Sequence, residues 1–191
     1  FIVVAFRMLP KTVWSIPPKG TFNLHASLLP NYRGAAPINW AIINNETTTG
    51  ATTFYIDDKI DTGAILLKEE LVIQPNETVG SLHDKLAPLG ANLILKTLDY
   101  IATNPTPKPQ LLTGDEKEAP KLTKENTKID WKHSLKYIDG LVRGLNPYPV
   151  AWLEIQNGES ILKAKIFKAT PSFEKHNFEI GKILIDDKKI K

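Results

Sequence analysis

The chain has 191 residues, of which 42% are hydrophobic and 24% charged, a composition typical of globular proteins with one large or two small domains. It contains no cysteine, which excludes disulfides, thiolate metal sites and thiol nucleophiles. The formal net charge is +3, no apolar run approaches the roughly 20 residues that cross a bilayer, and we expect a cytoplasmic protein.

The first half of the sequence alternates strand and helix patterns. Short apolar or alternating runs predict four strands: FIVVAF, TFNLH, GATTFYID and AILLKEELVI. Pro37 suits the first turn of one helix, and apolar residues at helical spacing predict another over residues 78–102, interrupted near Pro88 and Gly90. Interleaved strands and helices predict an open α/β sheet with helices on its faces.

The chain begins inside a predicted buried strand, without a methionine, and stops at DDKKIK, a turn that by its pattern starts another strand. We therefore expect it to be part of a longer protein, cut short at both ends.

The second half of the sequence has a different composition. Residues 103–128 have almost no apolar periodicity, with several prolines and many charges, which predicts a linker. DWKHSLKYIDGLVRGL then predicts a short helix that Asp130 caps. Asn157-Gly158 predicts a type I′ hairpin between alternating runs, and GKILI begins a further strand. Residues 1–102 carry a net charge of −1 and residues 103–191 of +4, which suggests two modules with different partners or an ordinary lysine-rich surface.

Asn23 and His25 stand two residues apart in the predicted strand TFNLH, so both side chains face the same way. If the strand ends there, they lie at its carboxyl edge, where open α/β sheets bind ligands. His25 can exchange a proton near neutral pH, and Asn23 can donate a hydrogen bond to an oxygen that becomes negative. The alternative is that both are satisfied structural polar residues at the end of a strand.

Ser27-Leu28-Leu29-Pro30 predicts a sharp turn beside His25. Arg33-Gly34 follows, a cation with a flexible neighbour that suits a phosphate or a carboxylate. A surface turn and a solvated arginine are the simpler alternatives.

An acidic loop follows the third predicted strand, with Asp57, Asp58 and Asp61 ahead of Thr62-Gly63. A carboxylate near a histidine can hold or accept its proton. The competing interpretations are a metal site, which no His or Cys spacing supports, and a solvent-exposed turn. His83 and His133 are interpreted as surface residues, and no glycine-rich phosphate loop is present.

These motifs together resemble the folate-dependent formyltransferases. The resemblance lies in FNLHASLLPNYRGAAPI followed by IDTG, and KIDW and NPYPVAWLEI narrow it to members that act on methionyl-tRNA. It extends from residue 1 to about residue 168. It implies that residues 1–102 are the C-terminal part of a Rossmann-like formyltransferase domain. Residues 103–128 would be a linker, and residues 129–191 an incomplete, OB-like β-barrel domain.

The resemblance also implies roles for individual residues. Asn23, His25 and Asp61 match the catalytic asparagine, histidine and aspartate. Two stretches would bind the folate: the turn Ser27, Leu28, Leu29 and Pro30, and the AFRMLP loop with Arg7, Met8 and Leu9, whose backbone would meet the pterin. The formyl donor would be 10-formyltetrahydrofolate, with tetrahydrofolate released and no metal required.

The partner implied by the resemblance is initiator methionyl-tRNA, held in part by the basic second half, and we expect a monomer that does not bind membranes. Two alternatives stay open. A related enzyme could formylate an amino sugar nucleotide or another small amine. A non-catalytic RNA-binding protein could keep the motif as a relic.

Overall fold

The computed structural model of the chain describes residues 1–4, 8–175, 177–186 and 189–190. Its strands are β1 (Ile2–Val4), β2 (Phe22–His25), β3 (Arg33–Gly34), β4 (Thr48–Tyr55), β5 (Ile65–Val72), β6 (Glu118–Ala119), β7 (Ala151–Asn157), β8 (Ser160–Ile166), β9 (Ile185–Asp186) and β10 (Lys189–Ile190). Its helices are α1 (Lys11–Trp14), α2 (Pro37–Ile43), α3 (Val79–Ala102) and α4 (Leu135–Gly144).

Four strands form one mixed sheet in the order β1–β2–β4–β5. β1 is parallel to β2, and the other neighbouring strands are antiparallel. The four strands predicted in the first half are therefore present, with small shifts at their described ends, while Ala5 and Phe6 of the first lie outside the described residues. α2 begins at Pro37 as predicted. The α/β class is confirmed, as a mixed sheet with helices packed against it.

α3 packs along this sheet as a single helix of 24 residues. Thr78 caps its first turn by accepting a hydrogen bond from the backbone N–H of Ser81. The predicted interruption near Pro88 is wrong, because Pro88 lies inside the helix on its exposed side, where water can bond the carbonyl that loses its partner. Gly90 faces the sheet, and a Cβ there would lie 2.8 Å from Cδ2 of Leu24, so glycine permits the close approach.

α4 joins the second half of the chain to the first. It packs against α2, and a shared core includes Ile43, Leu141 and Leu153. The prediction that Asp130 caps this helix is wrong. The cap is Ser134, whose hydroxyl accepts from the N–H of Tyr137, while Asp130 closes a separate turn before it.

The β-rich region forms two separate pairs of strands within the described residues. β7 and β8 are a hairpin as predicted, but Asn157 pairs with Ser160, so the turn residues are Gly158 and Glu159. Gly158 has φ of +60° and takes the first central position, as glycine does in a type II′ turn rather than the predicted type I′. GKILI is a strand only from Ile185, which pairs with Ile190. The expected OB-like barrel is not confirmed, because no closed barrel is found in the part of the chain that the structure describes.

The proline-rich segment 103–128 runs against the first half of the chain. β6 pairs with β3, Lys108 exchanges backbone hydrogen bonds with Ile65, and Ala119 is fully buried. No helix among the described residues has the length and hydropathy that crossing a membrane requires.

Candidate active site

Asn23 and His25 lie on β2, inside the sheet between β1 and β4. Their side chains share a face, as alternate residues of a strand do, and the two residues are 4% and 6% exposed. Both line a cavity of about 920 Å³ whose wall also includes Asp61. The structure therefore brings the three predicted catalytic side chains to one cavity.

One ring nitrogen of His25 is committed to the backbone. Nε2 lies 2.7 Å from the carbonyl oxygen of Tyr32, and since a carbonyl oxygen only accepts, Nε2 carries the hydrogen. In the neutral ring, Nδ1 then has a free lone pair, and it lies 3.7 Å from Oδ2 of Asp61, beyond hydrogen-bond distance. A proton taken up at Nδ1 would turn this approach into an ion pair, so the arrangement suits a proton acceptor.

Asp61 is held in an uncommon backbone conformation between β4 and β5. Its φ is +54°, in the left-handed region that residues other than glycine rarely adopt. Its Oδ2 accepts a hydrogen bond of 2.9 Å from the backbone N–H of Gly34. This bond aims the carboxylate at His25.

Tyr32, which the sequence did not single out, positions His25 through its carbonyl group. Its own φ is +61°, and its hydroxyl donates to Oε1 of Glu46 at 2.5 Å while accepting from Asn44. Burial, followed by the hydrogen bond to Glu46, raises the pKa of Tyr32 far above its usual value, so it stays neutral. Lys117 bonds Glu46 through its ammonium group and Tyr32 through its backbone carbonyl. The tyrosine is thus fixed at both ends.

Asn23 presents a buried polar atom without a partner. Its Oδ1 is enclosed and has no hydrogen bond within the described part of the chain. An unpaired buried polar group costs about 1–3 kcal/mol. The amide can turn either its oxygen or its NH₂ toward a ligand, so the site can meet an N–H donor or a ligand oxygen.

The other polar residues singled out near the site are engaged elsewhere. Asp57 also lines the cavity, but its carboxylate accepts from the hydroxyl of Thr62, and Asp58 is exposed. Arg33 is not a free cation, because its guanidinium donates to Oε1 of Gln110. Among the described residues, no group of His, Cys, Asp and Glu side chains is placed to hold a metal ion.

The turn Ser27–Pro30 lies behind the cavity rather than in its wall. Ser27 and Leu29 are almost completely buried. The hydroxyl of Thr52 donates to the carbonyl of Ser27 at 2.7 Å and accepts from the N–H of Leu29 at 3.1 Å, and Lys68 donates to the carbonyl of Leu29. These bonds tie the turn to β4 and β5.

Residues of the predicted pterin loop stand at the cavity. Met8 and Leu9 contribute to its wall, whereas Arg7 lies outside the described residues. His83, interpreted above as a surface residue, is exposed but also contributes to this wall from α3. The rest of the lining is largely apolar and includes Ile38, Phe54, Leu86, Ala87, Ala91 and Ile94.

Comparison with known proteins places these features in a family. The family model described as formyl transferase matches residues 1–98, and the one described as formyl transferase, C-terminal domain, matches residues 121–191. Methionyl-tRNA formyltransferase of Flavobacterium johnsoniae is 56% identical over 191 residues, covering 100% of this chain and 61% of that protein. The chain thus spans about 60% of the length of the curated relatives it matches.

Solved structures share the fold. HypX from Aquifex aeolicus in complex with tetrahydrofolic acid has a TM-score of 0.67 at 20% identity, with 81% of this chain and 27% of that chain covered. A 4-N formyltransferase from Francisella tularensis has a TM-score of 0.70 at 21% identity, with 89% and 71% covered. At such identities the likeness concerns the fold alone.

Proposed function

The chain belongs to the formyl transferase family, with its Rossmann-like mixed sheet, and from this premise we propose that the complete protein formylates the amino group of methionyl-tRNA. The formyl donor is 10-formyltetrahydrofolate, and the product is N-formylmethionyl-tRNA for translation initiation. The observation that carries the proposal is the unpartnered buried amide of Asn23 beside the His25–Asp61 pair, at the wall of a large cavity. The name of the 56% identical relative supports the choice of acceptor.

The cavity fits a folate donor in size and chemistry. Its volume of about 920 Å³ lies within the range of about 300–1,000 Å³ that small-molecule sites occupy. Its largely apolar lining suits a flat pterin ring, and the polar side chains Asn23, His25 and Asp61 lie in the same wall, where they would meet the formyl group. Met8 and Leu9 stand at the wall, as a pterin-binding loop requires. Ser27–Pro30 would act mainly by holding β2 against β4.

The chemistry follows from the atoms that face the cavity. The donor supplies an electrophilic formyl carbon, which the amino nitrogen of the acceptor attacks. Asn23 donates to the formyl oxygen as negative charge develops on it. His25 takes the proton of the amine at Nδ1, since Nε2 is occupied by the carbonyl of Tyr32, and Asp61 stabilises the resulting imidazolium. The tetrahedral intermediate then collapses with cleavage of the bond between the formyl carbon and the folate nitrogen, which takes the proton from His25 and leaves as tetrahydrofolate.

A basic cluster in the second half supports an RNA acceptor. The ammonium groups of Lys124, Lys128 and Lys163 lie 5.7, 5.2 and 5.6 Å from the ring centroid of Trp152. Their combined field is felt at Glu154, whose pKa is lowered first by the hydrogen bond from Lys128 and then by the nearby charges. Three cations around one aromatic ring suit phosphates and an unstacked base. We name this group the Trp152 cluster.

We further propose that residues 129–191 belong to a small OB-like β-barrel whose other strands lie in the longer protein, and that this protein is a cytoplasmic monomer. A structure of the complete protein in solution would test the barrel and the oligomeric state, and cell fractionation would test the location. A β7–β8 hairpin left without further strands, or a stable dimer, would contradict them.

The deciding experiment uses the complete protein with 10-formyltetrahydrofolate labelled in the formyl group. Methionyl-tRNA, glycinamide ribonucleotide and a 4-amino sugar nucleotide are offered in parallel, and label in each acceptor is measured. We expect label on methionyl-tRNA alone. Label on a small amine instead would keep the formyl chemistry but overturn the acceptor, and RNA binding without any transfer would overturn the enzymatic function.

A further inference from the structure

Gln110 connects the proline-rich segment to the loop that carries Asp61. Its Nε2 donates two hydrogen bonds of 2.9 Å, one to the backbone carbonyl of Asp61 and one to that of Gly63. Its Oε1 accepts two from Arg33, at 3.2 Å from Nε and 2.6 Å from Nη2. Both N–H groups and both acceptor positions of the amide are thus occupied, which leaves the side chain a single orientation.

The loop that Gln110 binds needs such support. Asp61 has φ of +54°, a conformation that persists in non-glycine residues only when the surroundings hold it. Gln110 fixes the backbone of Asp61, while the N–H of Gly34 fixes its carboxylate at 2.9 Å. Both supports involve β3, which consists of Arg33 and Gly34. Arg33 binds Gln110, and Gly34 binds the carboxylate of Asp61.

The segment that carries Gln110 is anchored close by. Lys108 and Ile65 exchange backbone hydrogen bonds of 2.7 and 3.1 Å. Ile65 begins β5, directly after the Asp61 loop, so the backbone of the segment is fixed where the loop ends. The backbone that carries Gln110 is therefore held in place close to Asp61 and does not behave as a loose linker.

From these contacts we propose that Gln110 is a positioning residue for formyl transfer, which sets the distance between Oδ2 of Asp61 and Nδ1 of His25. The inference rests on the proposed function. Gln110 lies 49 residues from Asp61 in sequence and touches only the backbone of its loop, so it acts through Asp61 and not on the substrate. Residues 103–128 are then part of the active-site framework as well as a connection between modules.

Two variants of the complete protein test the role of Gln110. Gln110→Met keeps the length of the side chain and removes all four hydrogen bonds. Gln110→Glu keeps the shape and the acceptor for Arg33 but cannot donate to the two carbonyl groups.

We expect kcat to fall about tenfold to a hundredfold in both variants, since small misplacement of a catalytic group has effects of that size. KM for methionyl-tRNA and for the folate should stay within about twofold, because Gln110 does not line the cavity. Gln74→Met, on the exposed loop before α3, is the matched control and should behave like the unaltered protein.

A third comparison separates positioning from general support of the fold. Gln110→Met is repeated in an Asp61→Asn background. If Gln110 acts through Asp61, it should lower kcat little further there, whereas two independent effects would multiply. A full additional loss in that background would overturn the inference, as would kcat within twofold of normal in Gln110→Glu. Failure of the unaltered protein to formylate any acceptor would overturn the proposed function itself, and the role of Gln110 with it, so the two failures are distinguishable.

Discussion

The buried amide of Asn23 lowers the stability of the fold, and the same amide has a proposed role in formyl transfer. A buried amide atom without a partner lowers stability by about 1–3 kcal/mol, and the side chain stands in the middle of the sheet, paired through its backbone with Val3 and Phe54. A ligand N–H or O–H that meets Oδ1 would supply the missing hydrogen bond, and the NH₂ group of the same amide can donate to a ligand oxygen. Such a residue is better explained by what it binds than by what it stabilises.

The change Asn23→Ala should therefore separate activity from stability. We expect kcat for formyl transfer to fall about a hundredfold to a thousandfold, the usual loss for one donor to a developing oxyanion. The melting temperature should stay at or above normal, because the enclosed Oδ1 has no partner to lose and the cost of burying it is removed. Steady-state kinetics and thermal unfolding of the complete protein measure both. Asn92→Ala, on the exposed side of α3, is the control, and near-normal turnover in Asn23→Ala would contradict its catalytic role.

Tyr32 has a predictable effect on stability at alkaline pH. Its pKa is raised in the folded protein by burial and by Glu46, whereas the unfolded chain should show the usual value of about 10. Above about pH 10 the unfolded state loses this proton while the folded state keeps it, so the free energy of unfolding falls as pH rises. Below that pH the folded and unfolded states both keep the proton, so the Tyr32 hydroxyl does not make the free energy of unfolding depend on pH.

We expect Tyr32→Phe to be less stable than the unaltered protein near pH 8, since Glu46 loses its hydroxyl donor and keeps only Lys117. Its free energy of unfolding should then decline less steeply between pH 9 and about 11. Urea unfolding followed across this range measures the slopes. Parallel slopes in the two proteins would show that Tyr32 does not titrate differently on folding.

At the scale of elements, two very short strands decide the geometry of the site. β3 and β6 comprise two residues each, yet β3 supplies the N–H that aims Asp61, and β6 joins it to the proline-rich segment. The two strands approach so closely that a side chain at Gly34 would collide with the carbonyl of Ala119. Glycine is also required there because φ is +123°.

Gly34→Ala should consequently damage both the pairing of β3 with β6 and the support of Asp61. We expect a lower melting temperature together with a fall in kcat, because the N–H that binds Asp61 must move when the strands separate. Gly114→Ala is a matched control, since Gly114 also has a positive φ, of +94°, but nothing lies within 4 Å of a Cβ there. It should show the conformational strain without the collision. Equal effects in the two variants would mean that the contact with Ala119 is unimportant.

For the whole molecule, local patterns predicted the elements and long-range contacts decided the site. β2, the start of α2 at Pro37 and the β7–β8 hairpin follow from periodicity and from proline and glycine positions, which act over a few residues. Ser134 rather than Asp130 caps α4, because the choice between two nearby caps depends on where α4 meets α2. Pro88 is tolerated because the packed face of α3 holds the helix together.

The supports of the active site were out of reach of sequence patterns for a physical reason. The contact of Gln110 with Arg33 joins residues 77 apart, and that of Lys117 with Glu46 joins residues 71 apart. Gln110 stands in a proline-rich run and Tyr32 follows a turn, and no local sequence pattern at either position indicates that the residue supports the candidate active site. Asn23 and His25 stand out because two polar side chains on one face of a buried strand are unusual, but the pattern leaves a structural role open, and the resemblance to the formyltransferases supplies their catalytic assignment.

The Trp152 cluster is the surface on which we expect the proposed RNA acceptor to bind. The Trp152 cluster lies in the basic second half of the chain. Glu154 partly neutralises Lys128 at 2.6 Å, so Lys124 and Lys163 carry the charges that are more available to RNA.

We expect Lys124→Gln and Lys163→Gln each to weaken binding of methionyl-tRNA and to reduce the slope of log Kd against log salt by about one. Filter binding at several salt concentrations measures this slope. Lys96→Gln, on α3 and paired with Glu69, is the control. An unchanged slope in both variants would place the RNA elsewhere, whereas a reduced slope with an unchanged kcat at saturating methionyl-tRNA would assign the cluster to RNA binding alone.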